Sequence, residues 1–140
     1  MKTRVIIRLA ATLGALALVT PAAAQDVAAG EKEFAKCKAC HAIVADDGTE
    51  IVKGGKVGPN LYGVVGRKVG GLEGFKYKES IIAVGESGLV WDEAELAAYM
   101  TDPKAWLVEK TGDAAAKTGM TFKQKSKQAD LAAYLASVVN

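Results

Sequence analysis

The chain has 140 residues, with 18 basic and 16 acidic side chains, half of its residues apolar, two cysteines and one histidine. That length suits one small domain, and a formal charge of +2 lacks the strong basic field of a dedicated nucleic-acid binder. A single histidine excludes a His-rich zinc site and bis-histidine ligation within one chain, and two cysteines cannot build a disulfide framework.

Residues 1–24 place Lys2, Arg4 and Arg8 before an apolar run over residues 9–19, followed by Pro21 and three alanines ending at Ala24. This is the three-part pattern of a secretory signal peptide, and the run falls short of the ~18 residues needed to span a bilayer. Cleavage after Ala24 would leave residues 25–140, carrying a charge of −1 because three basic residues are removed. Such a product is expected in the periplasm.

Within residues 25–140, residues 27–39 show apolar and small side chains at helical spacing, which predicts a first amphipathic helix running into Cys37. Residues 54–88 hold ten glycines and no sustained alternation, so turns and short helical pieces are expected there. Asp92, with Glu95 three residues on, predicts a helix to about Thr101, and Pro103 is placed to open another over residues 104–110. Leu131, Tyr134, Leu135 and Val138 give a terminal helix one apolar face. With nine aromatic residues and a glycine-rich middle, the apolar inventory is thin for a self-sufficient core, and domains of this kind use a disulfide, metal or cofactor as a staple.

Cys37-Lys38-Ala39-Cys40-His41 is the C-x-x-C-H pattern of covalent c-type haem attachment. Two thiols at this spacing can bond to one porphyrin edge while the next residue turns its imidazole under the iron. A thioredoxin-type dithiol would need a preceding strand, a zinc site would need a second pair of ligands, and a simple disulfide leaves His41 without a role. The sixth iron position has Met100, Met120, a lysine, water or nothing as candidates. Met120, in the glycine-bearing stretch 117–122, is favoured over Met100, which lies on a predicted helix where methionine usually fills core. A histidine and a thioether raise the reduction potential and leave no open site, which suits electron transfer rather than catalysis. The rival readings are a haem enzyme or gas sensor with an open iron, and a dithiol oxidoreductase.

The order Gly30 and Phe34, the haem motif, Gly58-Pro59-Asn60-Leu61, Gly66-Arg67, Gly74-Phe75-Lys76-Tyr77, Leu89-Val90-Trp91, Tyr99, Pro103, Met120 with Phe122, and residues 131–135 resembles the class I cytochromes c. Within them it is most similar to the long subgroup of cytochromes c2 of purple photosynthetic bacteria. The resemblance implies an all-α fold of small helices and loops wrapped around one covalently bound haem c, with terminal helices crossing at Gly30. The stretches between His41 and Gly58 and between Pro103 and Met120 are each several residues longer than in the compact mitochondrial form.

The resemblance also implies roles for particular side chains. Cys37 and Cys40 carry the haem, and His41 and Met120 are the axial ligands. The Pro59 carbonyl accepts a hydrogen bond from His41, Tyr77 and Trp91 donate to a haem propionate with Arg67 nearby, and Tyr99 donates to the Met120 sulfur. Lys36, Lys38, Lys56, Lys123, Lys125 and Lys127 are expected to ring the haem edge and steer it onto acidic partners. The implied donor is the cytochrome bc1 complex, and the implied acceptor is the photosynthetic reaction centre or a terminal oxidase. The carrier is expected to be a monomer, peripheral to the membrane and without a nucleic-acid partner.

Overall fold

The structure, a computed structural model, describes residues 24–139. The expected signal peptide therefore lies outside the described residues, apart from Ala24. Five α-helices form in chain order: α1 (Val27–Glu33), α2 (Glu79–Glu86), α3 (Glu93–Thr101), α4 (Pro103–Thr111) and α5 (Gln128–Ser137). Strands β1 (Ile43–Val44) and β2 (Glu50–Val52) make a short antiparallel pair. No helix among the described residues is long and apolar enough to cross a membrane.

Local chemistry explains most helix starts. The carboxylates of Asp26, Asp92 and Asp102 accept from the amides of Ala29, Glu95 and Ala105, at 3.0, 2.7 and 3.1 Å, so each satisfies one of the donors a first turn leaves bare. Pro103 stands at the first turn of α4, where its missing N–H costs nothing. The first helix is shorter than its periodicity predicts. It ends at Glu33 and tightens into a 3-10 turn, Phe34–Lys36, because the chain must turn to present residues 37–41 rather than continue along the axis.

The terminal helices cross at Gly30. A Cβ there would stand 2.0 Å from the Asp130 carbonyl oxygen and 2.9 Å from Cβ of Tyr134, so only glycine lets the backbones meet. Beside the crossing, Phe34 and Tyr134 pack with ring centroids 5.8 Å apart, and the Asp26 amide donates to the Asp130 carboxylate at 2.9 Å. Helix α3 packs on α5 from the other side. Phe34, Ile43, Leu107, Leu131, Leu135 and Trp91 lie in the buried cluster that results.

Residues 53–78 contain no helix and are mostly turns and bends, as the glycine density predicts. The β1–β2 pair falls in the longer stretch after His41 and was not predicted. Ile43 pairs with Val52 and Val44 with Glu50, with an irregularity in register between them. Two and three residues of pairing are too few to leave an alternating pattern.

Candidate functional site

The attachment sequence leaves the 3-10 turn as a knot of backbone bonds. The Cys37 amide donates to the Phe34 carbonyl at 2.8 Å, and the amides of Cys40 and His41 both donate to the Cys37 carbonyl, at 3.0 and 2.9 Å. The returning chain locks onto it: the Gly55 amide bonds the Lys38 carbonyl at 2.8 Å and the Gly58 amide the Cys40 carbonyl at 2.7 Å. Gly58 lies so close to the imidazole that a Cβ would stand 2.3 Å from Cε1 of His41. The next residue, Pro59, offers its carbonyl 2.8 Å from Nδ1 of His41.

A carbonyl can only accept, so Nδ1 carries the hydrogen and Nε2 keeps its lone pair. Burial holds the imidazole below its ordinary pKa and outweighs the opposing pull of the Pro59 bond, so the ring is neutral at pH 7. Burial, with help from Glu33 and Cys40, pushes the Cys37 thiol up to about 11. A dithiol oxidoreductase needs the opposite, a thiol whose pKa is lowered. Two free thiols three residues apart, followed by a neutral imidazole whose outer nitrogen is already bonded, fit a c-type haem held by two thioethers and one axial nitrogen. A cavity of about 360 Å³ opens beside Gly58, lined by Ala42, Gly55, Asn60, Leu72 and Phe75 among others, and neither thiol nor the imidazole lines it.

A second group of sequence-named residues is brought together around Arg67. Its guanidinium donates to the Asn60 carbonyl at 2.9 Å and to the Tyr62 carbonyl, and it lies near enough to Tyr77 for each to act on the other's pKa. The Trp91 amide bonds the Arg67 carbonyl at 2.9 Å, so Arg67, Tyr77 and Trp91 share one neighbourhood. Burial lowers the Arg67 pKa and raises that of Tyr77. Asn60 ties this group to the β1–β2 pair: its side-chain oxygen accepts from Val44 N at 3.0 Å and its amide donates to the Val44 carbonyl at 2.7 Å.

Met120 lies half-buried against the core, in a strap over residues 113–127 with no helix or strand of its own. The Thr118 hydroxyl accepts the Met120 amide at 3.0 Å and donates to the Met120 carbonyl at 2.8 Å. Burial raises the Tyr99 pKa, and the nearby Thr118 opposes that rise, which places Tyr99 beside the Thr118–Met120 turn. Met100, the alternative thioether, is buried in α3 within the main cluster.

The six docking lysines divide into two sets. Lys36 pairs with Glu33 at 2.5 Å, Lys123 with Asp102 at 2.6 Å, and Lys127 lies 3.9 Å from Asp130. Lys38, Lys56 and Lys125 are exposed and have no ion-pair partner among the described residues.

Four contributors escaped the sequence reading. Asn60 was seen only as part of a motif, although its place after Gly-Pro marks a turn that needs a side-chain hydrogen bond. Thr118 carried a signal in its spacing from Met120. Trp106 stacks on Trp91 with centroids 5.1 Å apart and meets Tyr99 edge-on at 5.2 Å, while its indole N–H bonds Glu95 at 2.8 Å. Gln124 carried no signal, because a glutamine in a lysine-rich stretch reads as surface, yet it is 1% exposed.

No protein-family model matches the chain. Individual relatives do. The chain is 65% identical over 130 residues to the cytochrome c-550 of Paracoccus versutus, spanning 90% of this chain and 84% of that protein. It is 62% identical over 130 residues to the cytochrome c2 of Rhodobacter capsulatus, spanning 93% and 95%. Among solved structures, cytochrome c2 from Rhodobacter capsulatus superposes with a TM-score of 0.81 at 62% identity, covering 82% of this chain and 99% of that one. Ferric cytochrome c-550 from Paracoccus versutus gives 0.79 at 64%, covering 81% and 97%. The attachment motif, the neutral imidazole on its carbonyl, the crossed terminal helices and these likenesses converge: the chain belongs to the class I cytochromes c of the cytochrome c2 and c-550 group, electron carriers that hold one covalent haem c.

Proposed function

We propose that this carrier works in the periplasm as a monomeric shuttle, taking single electrons from the cytochrome bc1 complex and passing them to a photosynthetic reaction centre or a terminal oxidase. The observation that carries the reading is the His41–Pro59 contact at 2.8 Å directly after the two thiols. When bound, the haem supplies the one-electron couple. Cys37 and Cys40 hold it, His41 offers Nε2, and Met120 offers a thioether from the strap. Pro59 fixes the imidazole ring, so its orientation does not change between oxidation states. Arg67, Tyr77 and Trp91 supply a cation, a hydroxyl and an indole N–H for the propionates.

Lys38, Lys56 and Lys125 are the steering charges, since Lys36, Lys123 and Lys127 stand beside carboxylates that offset them. The acidic start of α3, with Asp92, Glu93 and Glu95, supplies charge of the opposite sign. The signal-peptide pattern of residues 1–24 supports the periplasmic site.

An optical spectrum of the purified ferric protein tests the ligand set. A red-region sulfur-to-iron charge-transfer band is expected, and it should vanish in Met120→Ala together with a fall in reduction potential. A wild-type protein without the band, whose ferrous form binds carbon monoxide readily, would reject Met120 as ligand. Reduction by a purified bc1 complex should slow steeply with added salt, and the slope should flatten more for Lys38→Gln, Lys56→Gln or Lys125→Gln than for Lys123→Gln. Equal slopes would reject the division of the lysines.

A further inference from the structure

We propose that Gln124 is the anchor of the Met120 strap and sets how often Met120 releases the iron. The inference rests on Met120 being the axial ligand. Gln124 is the one buried polar side chain of the described core, four residues beyond Met120. Its backbone and side chain bind three helical regions at once. The Gln124 amide donates to the Met100 carbonyl at the end of α3, at 2.7 Å, and its own carbonyl accepts from Gln128 at the start of α5, at 2.8 Å. The side-chain Nε2 donates to Glu33 at the end of α1, at 2.6 Å, and to the Ser126 carbonyl at 2.9 Å.

These two acceptors fix the orientation of the amide, since turning it over would set its oxygen against a carboxylate and a carbonyl. The consequence is visible: Oε1 is buried without a hydrogen-bond partner. A leucine would fill this space with no orphaned oxygen, so packing does not call for glutamine here. Its specific contribution is the charge-assisted bond to Glu33, which joins the strap to the helix that leads into Cys37.

That joint matters because the rest of the strap hangs on side chains. Among the described residues, apart from the Leu131–Lys127 bond that opens α5, the Gln124–Met100 bond is the only backbone–backbone hydrogen bond from residues 113–127 to another element. Local opening follows the weakest tethers, independently of global unfolding. An exogenous ligand can reach a six-coordinate iron only after Met120 leaves, so its apparent affinity scales with the open fraction.

The test uses the haem-loaded mature protein at pH 7 and imidazole as the probe of the ferric iron. Gln124→Leu should bind imidazole about tenfold more tightly than wild type, with an equal or higher urea midpoint, because the leucine packs well and the loss is local. Glu33→Ala removes the acceptor, together with the surface ion pair to Lys36, and should strengthen imidazole binding about threefold, which keeps the test decisive if the leucine variant folds poorly. Val64→Ala, buried in the core and with no hydrogen bond to the strap, supplies a global destabilisation. Imidazole affinities of Gln124→Leu and Glu33→Ala within a factor of 1.5 of wild type would overturn the proposal, as would a gain in Val64→Ala matching that of Gln124→Leu. Loss of the red charge-transfer band in Met120→Ala is required alongside. Its persistence would remove the ligand assignment, and the Gln124 inference with it.

Discussion

The two sides of the site are built in different ways. Around His41 the chain is held by backbone bonds: Cys40 and His41 to Cys37, Gly55 to Lys38, Gly58 to Cys40 and Leu61 to Ala42. Around Met120 it is held by side-chain hooks, one from each of several helices. Lys104 of α4 reaches the Ala114 and Ala116 carbonyls, Ser80 of α2 accepts the Lys117 amide, Glu33 of α1 accepts from the Gln124 side chain, and Asp102 pairs with Lys123. Backbone bonds depend on conformation and tolerate most side chains, whereas hooks fail one residue at a time. The His41 side should therefore be broken by changes of shape, and the Met120 side by single changes of polarity.

The largest effect is expected at Gly58. An added methyl would stand 2.3 Å from the imidazole, so the ring or the loop must shift, and a shift of the ring strains its bond to Pro59. Gly58→Ala should cost about 3 kcal/mol or more, read as a lowered urea midpoint, with disturbed His41 ligation in the optical spectrum. A variant with wild-type stability and spectrum would show that the loop carrying Pro59 can shift as a body, and the contrast would fail.

A smaller effect is expected from Thr118→Val, which keeps the shape and removes the hydroxyl. The Met120 amide and carbonyl each lose a partner, an effect of about 1–3 kcal/mol. It should appear as easier loss of the ferric charge-transfer band on mild urea addition, well before the helices unfold. If band and helices are lost together, the strap is not an independent unit.

The smallest effect is electrostatic. Lys123 and the Ala105 amide hold the Asp102 carboxyl below the usual carboxylate range. Because the folded pKa is the lower one, this stabilisation is complete above the unfolded value of about 4 and is lost as pH falls through the folded value. Asp102→Asn keeps a helix-capping oxygen but not the charge, so wild type and variant should differ in thermal midpoint at pH 7 and converge at acid pH. A difference that persists undiminished at pH 2 would assign the effect to the cap rather than to the charge pair.

These two constructions also account for what could be read without the structure. The Asp92 cap, Pro103, the periodic face of α5 and the attachment motif depend on neighbours within a few residues, and each stands where its spacing predicts. The strap's contacts depend on residues far apart in the chain: Gln124 reaches Glu33 across 91 positions and Lys117 reaches Ser80 across 37. Nothing local marks those pairs. The Trp91, Tyr99 and Trp106 cluster escaped because it forms only when α3 and α4 pack, and the β1–β2 pair because two or three residues leave no alternating pattern.

The length of α1 shows the boundary between the two kinds of information. Apolar spacing predicts a helix over residues 27–39, but periodicity does not record where the chain must turn, and α1 stops at Glu33. The lysines show it for charge. Composition supplies their number, and only folding decides that Lys36, Lys123 and Lys127 stand beside carboxylates while Lys38, Lys56 and Lys125 do not. The sequence by itself determined the haem chemistry and the order of helices, because thiol spacing, capping and periodicity act over one or two turns. The tertiary structure alone decided how Met120 is held and which charges remain to meet a partner, because both are set by contacts between segments that meet only when the chain has closed.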